Sequence, residues 1–354
     1  MLPAIGFTAE RGTTTIMTYP TRRFSLFTAL VLLAATGRAA AQDPLVDQMK
    51  SPEISARQRA TMEAEVSLRV KRLKDAGTNA DLRDEAKSRI LRTATVEGAT
   101  KAALDVYAEI CANELTSLIT GDTFETASEG VLILMELDNP ATTDALIEGL
   151  GSKHAGVRLM AARAIQKLHA KLGNRSRAVL RALGRAGARE SDEFVLRVIY
   201  QAIDFKADVR NFKAGDAAEA LAMVLEARAA QLSGGSRDET RDEVGVEAAA
   251  RCYEDASAGD KARLIGAVAI ILESALSRYF DPDTAPEFLA TLSRYIARIE
   301  EVIVDMAKAS GVNLSCDRLK LNPRATDKKK QQADSEKVLD CIRRALAGDP
   351  WKIG

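Results

Sequence analysis

The hydrophobic residues of this chain recur at the spacing of helices, most clearly over residues 139–168. A first short helix is predicted to begin at Asn139, which can cap it, with Pro140 in the first turn, and to end at Gly151. A second helix carries its apolar residues on one stripe: Val157, Ala161, Ala164, Ile165 and Leu168. Neither helix can bury its stripe alone, so the pattern predicts antiparallel helix pairs.

Further helices are predicted on both sides of this pair. Asp122, with Glu125 three residues later, has the pattern of a capping box, and Ser191 is the expected N-cap of a later helix. The expected helices cover residues 44–73, 81–92, 96–119, 122–137, 176–183, 191–205, 215–232, 238–256, 259–280, 288–306 and 335–347. We find no convincing run of alternating apolar and polar residues, so the fold class predicted is all-α.

The region from Asn139 onward resembles a HEAT repeat, or the similar HEAT-like repeat of bilin-lyase proteins. The residues that carry the resemblance are Pro140, Leu146, Leu150, Val157, Arg158, Ala161, Ala164, Ile165 and Leu168. A degenerate copy, ending near residue 206, repeats the second helix with Val195, Ile199, Ala202 and Ile203. The resemblance implies antiparallel helix pairs stacked as a short, irregular α-solenoid that binds other macromolecules. It implies no catalytic residues.

Composition agrees with a helical protein and limits its partners. The chain has 354 residues, of which 46% are hydrophobic and only 5% aromatic, and its formal net charge is zero. That length can bury one large core or two modest ones. Without a net positive charge, no long-range field attracts nucleic acid, so we expect no nucleic-acid partner.

The first 41 residues have the pattern of a cleavable signal peptide. Arg22 and Arg23 precede an apolar run over residues 24–35, and three alanines end at Ala41. We expect Met17 to be the true start, cleavage to follow Ala41, and the product to be periplasmic or secreted. An uncleaved anchor is the alternative, although the run is short for a membrane span. After cleavage we expect no transmembrane span.

Composition also divides the remaining chain. Ser233 begins a Ser-Gly-Gly-Ser run that predicts a flexible joint and a soft domain boundary. The expected regions are a helical part over 42–232 with the HEAT-like repeats at 139–206, the joint at 233–237, a second helical part over 238–310, an irregular basic loop over 311–333, and a terminal helix and tail over 334–354.

No local motif for catalysis or for metal or phosphate binding is present. The two histidines, His154 and His169, are 15 residues apart, which is no local ligand spacing, and we expect both to be solvated. We therefore predict no catalytic residue, no cofactor and no metal. An extracytoplasmic enzyme whose site is assembled from distant residues stays as an alternative.

Export would place the four cysteines in an oxidising compartment. Cys316 and Cys341 flank the basic loop, and we expect a disulfide between them. Cys111 and Cys252 lie on apolar stripes and are expected to be buried free thiols, with a disulfide between these two as the alternative.

These patterns favour a non-catalytic scaffold that mediates protein–protein interaction or assembly. Its candidate contact surface is Lys153, His154 and Arg158, although Arg158 could equally bond to a neighbouring turn. The alternative is binding of an anionic polymer or a membrane surface through the basic segment, centred on Lys328, Lys329 and Lys330. Trp351, the only tryptophan, is expected to cap the core or to lie in a mobile tail.

Overall fold

Helices joined by short connections make up most of the described chain. The computed structural model describes residues 43–121, 123–204, 214–235, 239–348 and 350–351, and these contain no β-strand. The α-helices are α1 (Val46–Met49), α2 (Ala56–Asp75), α3 (Ala80–Ala94), α4 (Lys101–Ile119), α5 (Phe124–Leu137), α6 (Thr143–Gly149), α7 (Ala155–Leu168), α8 (Ser176–Gly187), α9 (Glu193–Ile203), α10 (Ala214–Ser233), α11 (Glu243–Cys252), α12 (Ala258–Phe280), α13 (Pro286–Ala309) and α14 (Lys328–Leu346). Short 3₁₀ helices cover Pro140–Thr142, His169–Lys171, Gly173–Arg175 and Glu239–Asp242.

Side-chain caps explain where several helices begin. Asn139 accepts a hydrogen bond from the backbone N–H of Ala141 at 2.9 Å, which confirms the predicted cap, although the first turn is 3₁₀. Helix α9 is capped by Asp192 and not by Ser191, because the Asp192 carboxylate accepts from two N–H groups of the first turn. The predicted capping residue Asp122 lies outside the described residues.

The helices pack in two rows. The odd-numbered helices form one row and the even-numbered helices the other, and in each row every helix packs on the next member of that row. Each even-numbered helix from α2 to α12 also packs on the odd-numbered helix that follows it. From α2 to α13, each helix therefore packs both on a sequence neighbour and on a helix two positions along the chain.

The core lies between the two rows as one continuous cluster from Leu45 to Trp351. The stripe predicted for the second helix of the best repeat is buried in α7, and its copy is buried in α9. Both predictions are confirmed. Small residues let the helices approach closely: a Cβ added at Gly187 of α8 would lie 2.7 Å from Val224 of α10.

Ion pairs or hydrogen bonds join successive helices within each row. In the even row, arginine and carboxylate pair across the steps α2–α4, α8–α10, α10–α12 and α12–α14: Arg59–Glu109, Arg181–Glu219, Arg263–Glu226 and Arg343–Glu273. In the odd row, cation and carboxylate pair from α3 to α13: Lys87–Glu129, Lys171–Asp138, Arg158–Glu190, Arg251–Asp204 and Arg298–Glu247. The exposed pairs among them contribute at most about 1 kcal/mol each, so their main effect is on register, whereas Arg158–Glu190 is largely buried.

Three predicted boundaries are corrected. The helix expected over 44–73 is interrupted, because the chain turns around Pro52 and restarts behind the Ser55 cap. Residues 328–333 are helical, since Asp327 caps α14 by accepting from the N–H of Lys330 at 2.9 Å. The joint at 233–237 does not separate domains: residues 45–354 form one compact unit, and α10 packs on α12 across it.

Residues 1–42 lie outside the described part of the chain, so the signal peptide, the start at Met17 and cleavage after Ala41 stay predictions. The joint's residues 236 and 237 lie outside it too. Among the helices that are described, none combines the length and the apolar character needed to cross a bilayer.

A buried charged network joins α9, α10 and the 3₁₀ turn before α11. The Asp242 carboxylate accepts from Tyr200 Oη at 2.7 Å and from Arg228 Nε at 3.1 Å, and Asp242 is fully buried. Gly245 lets this turn approach, because a Cβ there would lie 2.4 Å from the Tyr200 ring. The two charges are stable here only as a pair.

Asp242→Asn should lower the free energy of unfolding by about 3 to 5 kcal/mol, because it leaves the Arg228 guanidinium buried without its counter-charge. Urea denaturation measures the loss. As the control, Glu226→Gln breaks the exposed Glu226–Arg263 pair and should cost less than about 1 kcal/mol. Equal losses in the two variants would contradict a special role for the buried network.

Candidate functional site

The candidate contact surface lies at the turn between α6 and α7. Lys153 is exposed there, and His154 is half-buried at the start of α7. The imidazole meets the ring of Phe124 edge to face, with 5.8 Å between ring centroids. Phe124 opens α5 and keeps 45% of its surface exposed, so the structure adds an aromatic residue that the sequence analysis did not select.

Arg158 holds two neighbouring turns together. Its Nε and Nη2 atoms donate to the two Glu190 carboxylate oxygens at 2.7 and 2.8 Å, and its Nη1 donates to the Ser152 carbonyl at 2.9 Å. The Glu190 carboxylate also accepts from the N–H groups of Ser191 and Asp192. Arg158 is therefore the structural residue that the alternative interpretation described.

The Glu190 carboxylate carries the negative charge of this clamp. Burial alone would raise the pKa of Glu190, but the hydrogen bonds from Arg158 and from two backbone N–H groups lower it below its ordinary value. Glu190 is 5% exposed, and the charge of its carboxylate is neutralised by the Arg158 guanidinium at 2.7 Å.

A groove of about 510 Å³ runs between α6 and α8, next to this clamp. Its lining residues are Ile147, Leu150, Gly151, Arg158, Ala182, Arg185, Ala186, Arg189, Glu190 and Ser191. Arg185 and Arg189 are exposed, and their side chains make no hydrogen bond or ion pair with the described residues. The groove thus combines an apolar floor with two uncompensated positive charges.

The sequence contained a signal for this groove that we missed. Four arginines, Arg177, Arg181, Arg185 and Arg189, follow one another at four-residue spacing. Each such step turns about 40° around a helix, so Arg177, Arg181 and Arg185 shift progressively around α8, and Arg189 follows two residues after the helix ends at Gly187. Which arginines find carboxylates depends on α10 and α6, and the local pattern does not identify those neighbours.

The predicted basic patch lies at the start of α14, where Lys328, Lys329 and Lys330 are exposed. A groove of about 630 Å³ separates this helix from residues 315–320. Its charges are mixed, because Asp317, Asp327 and Asp334 line it together with four basic side chains. Lys337, one of these, already pairs with Asp334 at 2.9 Å.

The structure joins Cys316 and Cys341 in a disulfide, which ties the irregular segment after α13 to helix α14. The same segment is held by Glu300, whose carboxylate accepts from the N–H of Leu319 at 2.9 Å. Cys111 and Cys252 are buried and free, as expected. Burial raises the pKa of both thiols to about 12, so neither is an activated nucleophile.

Replacing both Cys316 and Cys341 by serine should loosen α14 selectively. The disulfide closes a sequence separation of 25 residues, for which the chain-entropy model gives about 3 kcal/mol. We expect faster amide hydrogen exchange in α14 than in the wild type, with exchange in α4 and α5 unchanged. Unchanged exchange in α14 would show that packing alone holds this helix.

His169 is not solvated, which corrects the sequence-based expectation. It lies in the 3₁₀ turn after α7 and is 4% exposed, because the C-terminal end of α9 packs against it. Burial lowers its pKa to about 4, against an ordinary value of 6.5. The histidine is therefore neutral at physiological pH and part of the fold.

This depressed pKa makes stability depend on pH. Between pH 6.5 and about 4 the unfolded chain binds a proton at His169 that the folded chain does not bind, so acid destabilises the fold. The total loss attributable to His169 is about 3 kcal/mol. In urea titrations, His169→Gln should remove this part of the acid slope, whereas His154→Gln should keep it. An unchanged slope in the His169 variant would contradict the burial argument.

In the ranges that the structure describes, no three His, Cys, Asp or Glu side chains form a group that could hold a metal ion. No family model matches the chain, and a search of the curated proteins found no match.

Proposed function

We propose that this protein is an exported, non-catalytic scaffold built as an irregular, HEAT-like α-solenoid, and that it binds a partner protein. The observation that carries the proposal is the contact pattern of the helices, each of which packs on the helix two positions along the chain. This is the arrangement expected of stacked helix pairs, whose extended surfaces bind by area and shape.

The turns that connect the even row to the odd row support a contact surface. Phe124 and Phe194 lie at the first turns of α5 and α9, and they are 45% and 64% exposed. Lys153 and His154 lie at the corresponding turn before α7, which comes between these helices in the odd row. Exposed aromatic side chains are enriched among residues that contribute most to protein interfaces.

The rigidity of these turns also supports the proposal. Arg158 ties the α6–α7 turn to the α8–α9 turn through Glu190. Arg241 then ties the α8–α9 turn to the next one, because its guanidinium donates to the Ser191 carbonyl at 2.9 Å. A surface that is already ordered loses less conformational entropy on binding.

Export is supported by the signal-peptide pattern of residues 1–41 and by the disulfide between Cys316 and Cys341. Disulfides of this kind persist in oxidising compartments and are rare in the cytosol.

Site-specific photocrosslinking tests the proposal. A photoreactive phenylalanine analogue at position 124 or 194, in the exported protein within its own extracytoplasmic fraction, should crosslink to one discrete protein. The same analogue at Leu82, which is 51% exposed on α3, serves as the control and should not crosslink to that protein. The crosslinking yield should be unchanged when the sample is irradiated at high salt, because a shape-driven contact is less screened than contacts between exposed charges.

Two outcomes would contradict the scaffold. One is the absence of a discrete protein at either aromatic position. The other is recovery of polyanionic or lipid material that salt removes, and that is lost when Lys328, Lys329 and Lys330 are replaced by glutamine. The second outcome would favour the basic segment as the functional surface.

A further inference from the structure

We propose that the groove between α6 and α8 is a docking site for an acidic segment of the partner protein, in which carboxylate side chains alternate with aliphatic ones. The inference rests on the proposed scaffold function and specifies the chemistry of what one surface of that scaffold recognises.

The positive charge of the groove favours an acidic occupant. Arg177 and Arg181 reach Asp216 and Glu219 of α10 at 3.2 and 2.9 Å. Arg185 and Arg189 continue the same row of arginines along the groove beside α6, and neither forms an ion pair with a described residue. The one carboxylate that lines this groove, Glu190, is already paired with Arg158, so the described residues leave the two guanidinium groups uncompensated.

Arg185 and Arg189 are not needed to hold one helix of the even row against the next. In the even row, the steps α2–α4, α8–α10, α10–α12 and α12–α14 are already bridged by arginine–carboxylate pairs. The step from α6 to α8 has its own pair, between Arg175 and Asp144. Arg185, in the last turn of α8, and Arg189, two residues beyond its end, can each bind a carboxylate through charge-assisted hydrogen bonds.

The shape of the groove favours a short segment with aliphatic side chains. Ile147, Ala182 and Ala186 provide the apolar lining of the groove, and Leu150 is nearly buried at its base. A volume of about 510 Å³ accommodates a few side chains and not a folded domain. The guanidinium plane binds a carboxylate through two parallel hydrogen bonds, which fixes the orientation of a short extended segment beside this lining.

The neighbouring groove is less favourable for a continuous polyanion. Between α4 and α6 the lining includes Glu109, Asp144, Glu148 and Arg175; Glu109 pairs with Arg59 and Asp144 with Arg175, while Glu148 forms no ion pair with the described residues. A polymer of phosphates running along the even row would leave Arg185 and Arg189 and meet the carboxylate of Glu148. No aromatic side chain lines either groove, so bases would find no stacking surface. A short acidic peptide needs no stacking surface and does not extend to the carboxylate of Glu148.

The test is a selection of displayed random 12-residue peptides on the mature chain. The peptides enriched should contain Asp or Glu with Leu, Ile or Val close by. Their affinity should fall about 30-fold or more for a double variant with Arg185→Glu and Arg189→Glu, because each charge-assisted pair becomes a repulsion.

The chain offers a matched control. Arg163 of α7 and Arg197 of α9 are also exposed arginines whose side chains pair with none of the described residues, but they lie in the odd row and outside the groove. A double variant with Arg163→Glu and Arg197→Glu has the same change in net charge and should keep the affinity within about twofold, since rim charges act mainly through association rate. Circular dichroism establishes that both variants fold.

Each outcome decides between the proposals. Peptides that bind the wild type and both variants equally would overturn the groove assignment and leave the scaffold intact. Binding of inorganic polyphosphate that only the Arg185 and Arg189 substitutions abolish, with no acidic peptide enriched, would overturn the peptide in favour of a polyanion. If no peptide binds and the photocrosslinks at positions 124 and 194 also fail, both the groove assignment and the scaffold function are wrong.

Discussion

Each helix of this protein is too short and too narrowly amphipathic to be stable alone, and the whole structure depends on that constraint. A helix that buries its stripe against one neighbour still has apolar surface at the sides of that stripe. The helix two positions along the chain covers this surface, and the relation repeats from α1 to α13 and from α2 to α14. Stability is therefore shared between helices that are close together in the chain.

Ion pairs fix the register between neighbouring helices, which apolar packing alone does not specify. Apolar stripes can slide past one another at small cost, whereas a guanidinium aligned with two carboxylate oxygens defines one position. Pairs such as Arg263–Glu226 and Arg298–Glu247 repeat this alignment along the two rows. Arginine and carboxylate side chains are thus matched between many successive helices, whereas exposed arginines such as Arg163, Arg185, Arg189 and Arg197 form no ion pair with the described residues.

The parts of the fold that could be predicted are those set by local spacing. The buried stripe of α7, its copy in α9 and the Asn139 cap all follow from residues within a few turns of one another. The Arg158–Glu190 clamp joins residues 32 positions apart, and no local pattern indicates it. The burial of His169 was not predicted because it depends on packing against the end of α9. The segment from Lys328 was predicted as a loop because three consecutive lysines carry no helical pattern, and the Asp327 cap was not recognised. For the same reason, Arg185 and Arg189 are recognisable as a pair only beside α6.

The disulfide between Cys316 and Cys341 lies at the end of the stack, where α14 packs mainly on α12. A helix with a single packing neighbour frays more readily than helices packed on several sides. A covalent bond at α14 makes the two ends of the protein unequal. Opening must then start from the α1–α3 end or from the interior, and a protease that needs unfolded backbone gains access there before it reaches the C-terminal helix.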